Sequence, residues 1–192
     1  LKTPAHIISL KRIKELKGIR LDSHHTVISA MMTMDEILNA PELSRNHSVV
    51  KTVAQNIATT QIRNMATIGG NISSRYTWAE FYNCLLALDA KLNFLIQPKK
   101  NITVSMDEFL SKNAKISGIL TSISLENKKD TVAVYRRVPR CSDVDIPLIA
   151  VCVKAEMQDR TFKEVRVVVN QGTSFPKRDK RIESMLDGKT IT

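Results

Sequence analysis

Three times in this chain a hydroxyl residue is followed, three positions on, by glutamate and then by apolar residues. The instances are Thr33-Met34-Asp35-Glu36 before Ile37 and Leu38, Thr77-Trp78-Ala79-Glu80 before Phe81, and Ser105-Met106-Asp107-Glu108 before Phe109 and Leu110. In such a box the hydroxyl accepts the backbone N–H of the glutamate, and the carboxylate reaches back to the N–H of the hydroxyl residue, so each box marks a helix start. Around them lie short runs rich in β-branched residues at 91–95, 102–105, 119–125 and 132–138, which predict strands. Helix starts interspersed with short strands restrict the chain to an α+β fold, read as a mixed sheet with covering helices. The segments between the boxes do not match one another, so this is not a repeat architecture.

Elsewhere the pattern is plain. HIISL near the N-terminus reads as a short strand, and LKRIKELKGI as a helix with Leu10, Ile13 and Leu16 on one face and Gly18 as its stop. The segment 20–30 is β-like. Residues 46–58 predict an amphipathic helix, with Val49, Val50, Val53, Ala54 and Ile57 as its apolar stripe and Asn46 as its cap. Residues 61–72 read as a loop, and 77–88 as a buried helix. The long apolar run in 145–157 is followed by a strand-like 162–170. Ser174-Phe175-Pro176 then predicts a helix start, with Gly188 as its stop. The reading divides the chain into 1–130 and 131–192, the second part an incomplete small α+β domain.

A length of 192 residues supports one domain, or one domain and part of a second. Cys84, Cys141 and Cys152 are odd in number and far apart, which argues against a disulfide framework and for a reducing, cytoplasmic setting. No CxxC or Cys/His cluster suggests a zinc or iron–sulfur site, and adjacent His24 and His25 point to opposite faces of an extended segment. No apolar run approaches the ~20 residues of a membrane span. The net charge of +10 is gathered at 11–20, 136–140 and 177–181. Aromatics are only 5% of the chain and are not interleaved with these clusters, so a nucleic-acid stacking platform is poorly supported. Solvated basic faces are the simpler explanation.

The remaining feature is QIRNMATIGGNI at 61–72, with Gly69 and Gly70 adjacent in a chain of six glycines. It follows a helix, so it is neither a Rossmann fingerprint nor a P-loop. Two readings stand. One is a structural turn. The other is a loop whose backbone approaches an extended anionic ligand, with Thr67, Asn71, Ser73 and Ser74 as uncharged donors and Arg75 as the positive charge.

QIRN-x-AT-x-GGN, followed by a helix ending in LLALDAKL, resembles the flavoprotein subunit or domain of the molybdenum hydroxylases, the xanthine dehydrogenase and carbon monoxide dehydrogenase family. TVISAMMTMDEIL resembles the unit that precedes the flavin loop in that family. ILTSISL and VYRRVPR resemble the passage into its C-terminal domain. The resemblance implies the family's FAD-binding fold, of the PCMH/VAO-like type, with FAD as cofactor. It implies that Ala66, Thr67, Ile68, Gly69, Gly70 and Asn71 form the second FAD loop, with Ser74 near the cofactor. Glu80 stands where an aspartate usually contacts it. Ile57 and Ala58 match positions near the adenine end, and Leu120 and Arg136 match positions flanking the cofactor. No residue of the chain is implied as a general acid or base.

The family pattern also implies partners: a molybdenum-cofactor subunit and a 2Fe-2S subunit, from which electrons pass through FAD to NAD or another acceptor. A flavin-free scaffold between such subunits is the alternative. Nothing before Ile19 resembles the family's first FAD loop, so the chain reads as a fragment or a reduced form. Several residues carry a plainer reading beside the functional one. Glu80 completes a capping box with Thr77, Asn71 tolerates a left-handed turn, and Arg63 satisfies helix-end carbonyls. Arg136 pairs with a carboxylate, and Trp78 packs on the core. Tyr76 lies in the loop within reach of an isoalloxazine.

Overall fold

The computed structural model describes residues 4–44, 47–111, 116–141, 144–172 and 174–191. Its first half is a five-stranded sheet. β1 (Ile19–Leu21) and β2 (His25–Ser29) form a hairpin, and α1 (Met34–Asn39), α2 (Ser48–Asn56), α3 (Thr60–Arg63), α4 (Ile68–Ser73) and α5 (Phe81–Ala87) follow. The chain then returns as β3 (Lys91–Gln97), β4 (Lys100–Ser105), α6 (Met106–Ser111) and β5 (Ile119–Glu126), which inserts between β2 and β3 to give the order β1-β2-β5-β3-β4. A second sheet, in the order β6-β7-β8-β9, is built from β6 (Thr131–Pro139), β7 (Pro147–Gln158), β8 (Thr161–Asn170) and β9 (Lys177–Arg178), before α7 (Lys180–Leu186).

The α+β class is as expected, but every described strand pairing is antiparallel, so the sheets are not mixed. The boundary between sheets falls in the short polar stretch between Glu126 and Thr131. One hydrophobic core nevertheless runs through both, joining Ile28, Leu92 and Ile123 of the first sheet to Tyr135, Ala150, Cys152 and Val168 of the second. α5 is the reason. All its residues are buried, because it packs on β7 and β8 on one side and on α2, α4 and α6 on the other. Its polar side chains reach across to both sides: Tyr82 donates to the Ile72 carbonyl at 2.6 Å and the Asn83 amide to the Ala150 carbonyl at 2.9 Å, while the Asn83 side-chain oxygen is buried without a partner.

Two of the three capping boxes form. Thr33 and Glu36 exchange both bonds at the start of α1, and Ser105 and Glu108 do so at α6. The third does not. The helix begins only at Phe81, Thr77 donates its hydroxyl to the Gly172 carbonyl, and Glu80 is turned into the interior. Tertiary partners outcompete a local exchange worth about 1 kcal/mol.

Other expectations also shift. HIISL forms no strand, and Ile7 and Ile8 are exposed. The expected first helix is reduced to a 3-10 turn at Lys14–Leu16. The terminal helix is capped by Asp179, which accepts the N–H groups of Arg181 and Ile182, rather than by Ser174. Asn46 lies outside the described residues; His47 stands at the cap position of α2.

Candidate functional site

The segment expected as a loop at 61–72 is largely helical. α3 covers Thr60–Arg63, and Gly69 and Gly70 lie in the first turn of α4. Thr67 is the N-cap, accepting the Gly70 N–H at 3.1 Å. The other early donors are also engaged: Ile68 N–H to the Met32 carbonyl at 3.0 Å, Gly69 N–H to Ala30 at 2.8 Å, and Asn71 N–H to Thr67 at 2.9 Å. The Met34 N–H donates to the Ala66 carbonyl at 3.0 Å, and Thr33 and Thr67 form a β-bridge. The start of α4 is thus docked along the connection from β2 to α1.

That docking explains the first glycine. A Cβ on Gly69 would lie 2.6 Å from the Ala30 carbonyl oxygen and 2.7 Å from the Ala30 Cβ. Close backbone approach is required, and the partner approached is the chain's own strand end. Gly70 is exposed, and its Cβ would meet only the Thr67 hydroxyl at 3.1 Å. Ile68 is fully buried and anchors the helix in the core.

Beside α4 a cleft of about 210 Å³ gathers five of the expected residues: Ile57, Ala58, Asn71, Ser74 and Glu80. Its other walls include Tyr76, Trp78, Arg137 and the apolar Val144 and Ile146. Ile57 and Ala58 turn the chain out of α2, Ala58 with a left-handed φ of 46°. Arg63 secures that turn by donating to the carbonyls of Ile57 and Ala58 at 3.2 and 2.8 Å. The helix-end reading of Arg63 therefore holds. Ser74 donates to the Asn71 carbonyl at 2.7 Å, and the Asn71 side-chain oxygen is buried with no partner. Asn71 is helical, so a left-handed turn does not account for it.

At the base of the cleft Glu80 is tied to the second sheet. One carboxylate oxygen accepts Arg137 at 2.6 Å and the other accepts the Tyr135 hydroxyl. Arg137 also donates to the Asp145 carbonyl at 3.1 Å, which links the network to the far wall. Burial pushes the Glu80 carboxyl above its ordinary range, against the opposing pull of Tyr135 and Arg137. Burial likewise raises the Tyr135 hydroxyl. Tyr76 and Trp78 stack at 4.6 Å with an interplanar angle of 13°, both partly open to solvent. Trp78 is therefore not a core residue.

Other expected residues go elsewhere. Thr67 borders a second hollow of about 380 Å³, on which Lys11 and Lys17 of the first basic cluster converge. Ala66 is half-buried against the core, its carbonyl accepting the Met34 N–H. Leu120 is buried in β5. Arg136 lies on the exposed outer face of β6, away from the cleft, and Arg137 enters it instead. Strand alternation is the cause. Val132, Val134 and Val138 share the outer face with Arg136, while Ala133, Tyr135 and Arg137 face inward. The apolar pattern alone would assign the opposite parity, so the sequence carried no usable signal for Arg137. Arg75 is also withdrawn: its guanidinium lies over the rings of Phe109 and Phe175, at 4.7 and 5.0 Å.

Residues 1–126 match the family model of the FAD binding domain in molybdopterin dehydrogenase. The carbon monoxide dehydrogenase medium chain of Hydrogenophaga pseudoflava is 32% identical over 107 residues, covering 55% of this chain and 37% of that protein. The xanthine dehydrogenase FAD-binding subunit of Escherichia coli O157:H7 is 25% identical over 185 residues, covering 93% of this chain and 63% of that protein. A crystal structure of the Cu,Mo-CO dehydrogenase in a cyanide-inactivated form contains a chain with the same fold, at a TM-score of 0.88 and 22% identity, over 98% of this chain and 67% of that chain. The matched segments therefore span between about a third and two thirds of the length of these proteins.

Proposed function

The chain belongs to the family of FAD binding domains in molybdopterin dehydrogenases, and we propose that it serves as the flavin-holding, electron-transferring part of a molybdenum-containing hydroxylase. The observation that carries this reading is the Asn71 side-chain oxygen, buried and unpaired at the wall of a cleft that the flavin-loop residues share. A buried acceptor without a partner costs about 1–3 kcal/mol, which a ligand hydroxyl would recover.

The residues fit FAD in portions. A cleft of about 210 Å³ is below the ~300–1,000 Å³ of a complete small-molecule site. The hollow beside Thr67 supplies further space and two lysines. In this reading Asn71 and Ser74 meet the ribityl–phosphate portion, and Ile57 and Ala58 the adenine end. Lys11 and Lys17 balance phosphate charge near Thr67. Gly69 and Ile68 act indirectly, by seating α4 against Ala30. Leu120 supports the same helix from β5, whereas Arg136, on the outer face of β6, has no part in holding the flavin. Glu80 acts through Arg137, since both its oxygens are occupied within the protein. Tyr76 and Trp78 offer a flat apolar wall that excludes water.

Bound FAD would supply the redox chemistry, accepting and passing on electrons. The protein's part is to bind, orient and shield it. Iron–sulfur and molybdenum subunits would be the electron source, and NAD or another oxidant the acceptor. The test is the visible spectrum of the purified chain before and after incubation with FAD and desalting. A retained flavin spectrum, with about tenfold weaker retention in Asn71→Ala, is expected. A colourless wild-type chain would overturn the reading in favour of a flavin-free scaffold.

A further inference from the structure

A groove of about 570 Å³ lies at the opposite end of α5 from the flavin cleft. Glu80 immediately precedes α5 and Leu86 lies in its last turn, so the two sites are separated by roughly 9 Å along the helix axis at about 1.5 Å per residue. The volume is within the ~300–1,000 Å³ range of small-molecule sites. Its floor is apolar, formed by Leu86, Leu110, Phe175 and Pro176. Its rim carries Arg166, Lys177, Arg178 and Lys180 against only two carboxylates, Asp89 and Asp107.

The rim cations are of two kinds. Arg166 is held by Asp89 at 2.9 Å, and Arg178 by Glu183 at 2.7 Å. Lys177 and Lys180 make no ion pair within 4 Å among the described residues. Asp89 and Glu183 offset the two arginines and Asp107 offsets one lysine, so the groove keeps a small net positive charge beside an apolar floor where water is partly excluded. In such a place an anion is attracted more strongly than at an open surface. This is also the third basic cluster of the sequence, which the flavin reading does not use.

We propose that this groove is a binding site for a small organic anion, a carboxylate or phosphate monoester carried on a flat apolar body, separate from the flavin cleft. The apolar body covers Leu86, Leu110 and Pro176, and the anionic end meets Lys177 and Lys180. The proposal does not depend on the flavin reading.

The test uses 2-naphthoate, 2-naphthyl phosphate and the neutral 2-naphthylmethanol as probes, titrated into the full chain by calorimetry with and without FAD. One or both anions should bind with unit stoichiometry, unaffected by FAD, and the alcohol at least tenfold more weakly. The two anions distinguish a carboxylate site from a phosphate site. Lys177→Glu combined with Lys180→Glu should weaken binding at least tenfold, whereas Lys99→Glu with Lys100→Glu, an equal change of net charge at the exposed tip between β3 and β4, should leave it within twofold. Ser174→Trp, an uncharged block of the groove wall, should cause a similar loss. No binding up to 10 mM, equal affinity for the alcohol, or equal loss in both charge-reversed pairs would overturn the proposal.

Discussion

Replacing Gly69 by alanine tests whether the Gly-Gly pair is first a packing device. The added Cβ would sit 2.6 Å from the Ala30 oxygen and 2.7 Å from the Ala30 Cβ, so α4 and the end of β2 must separate by roughly 0.8 Å to regain ordinary contact. Overpacking of this kind costs about 1–3 kcal/mol. The same movement stretches the 2.8 Å bond from Gly69 N–H to Ala30, worth about 1 kcal/mol. Alanine's better helix propensity returns up to ~1 kcal/mol. The net expectation is about 2 kcal/mol of destabilisation, or roughly 4–8 °C in Tm for a protein of this size. Gly70→Ala is the internal control, because its Cβ meets only the Thr67 hydroxyl at 3.1 Å, and a change within about 0.5 kcal/mol is expected. Adding Ala30→Gly to Gly69→Ala should recover part of the loss, since one of the two close contacts disappears. Urea unfolding of the wild type and these three variants measures all of this. If Gly69→Ala and Gly70→Ala came out equal, the docking argument would be wrong.

Two further outcomes follow from buried titratable groups. Glu80→Gln removes the carboxylate beside Arg137 and should cost about 3 kcal/mol, whereas Glu80→Gln with Arg137→Met should recover much of it, because removing both charges leaves neither buried alone; a double-mutant cycle in urea showing simple additivity would contradict the pairing. His47 is buried with its Nε2 3.0 Å from the Asn127 side-chain oxygen, and burial lowers its pKa below the ordinary 6.5. The unfolded chain then binds more protons below that value, so stability should fall by up to about 1.4 kcal/mol per pH unit as pH drops through 6.5 and below. His47→Gln should flatten the stability profile between pH 7 and 5.5, and an unchanged slope would remove His47 as its source.

The parts of the fold legible in the sequence are those governed by neighbours in the chain. The boxes at Thr33 and Ser105 form because each needs only four residues and a free helix end. The strands at Lys91–Gln97, Ile119–Glu126 and Thr131–Pro139 follow their β-branched runs, with ends a residue or two beyond expectation. The flavin-loop pattern at 61–72 was also legible, as a pattern of residue types.

What the tertiary structure alone decided is which way these residues face and what they meet. Thr77 and Glu80 carry the same local signal as the other boxes, yet Gly172, Tyr135 and Arg137 claim them. A buried carboxylate gains more from a desolvated cation and hydroxyl than from a solvated cap. Arg137 rather than Arg136 enters the cleft because α2 packs on β6 and Tyr135 turns into the core, which leaves the valine face of the strand open. Gly69 is needed because Ala30, 39 positions earlier in the chain, is its neighbour in space. Local composition sets the elements, since backbone preference acts over a few residues. The site depends on contacts between segments distant in sequence, and those are decided only when the core closes.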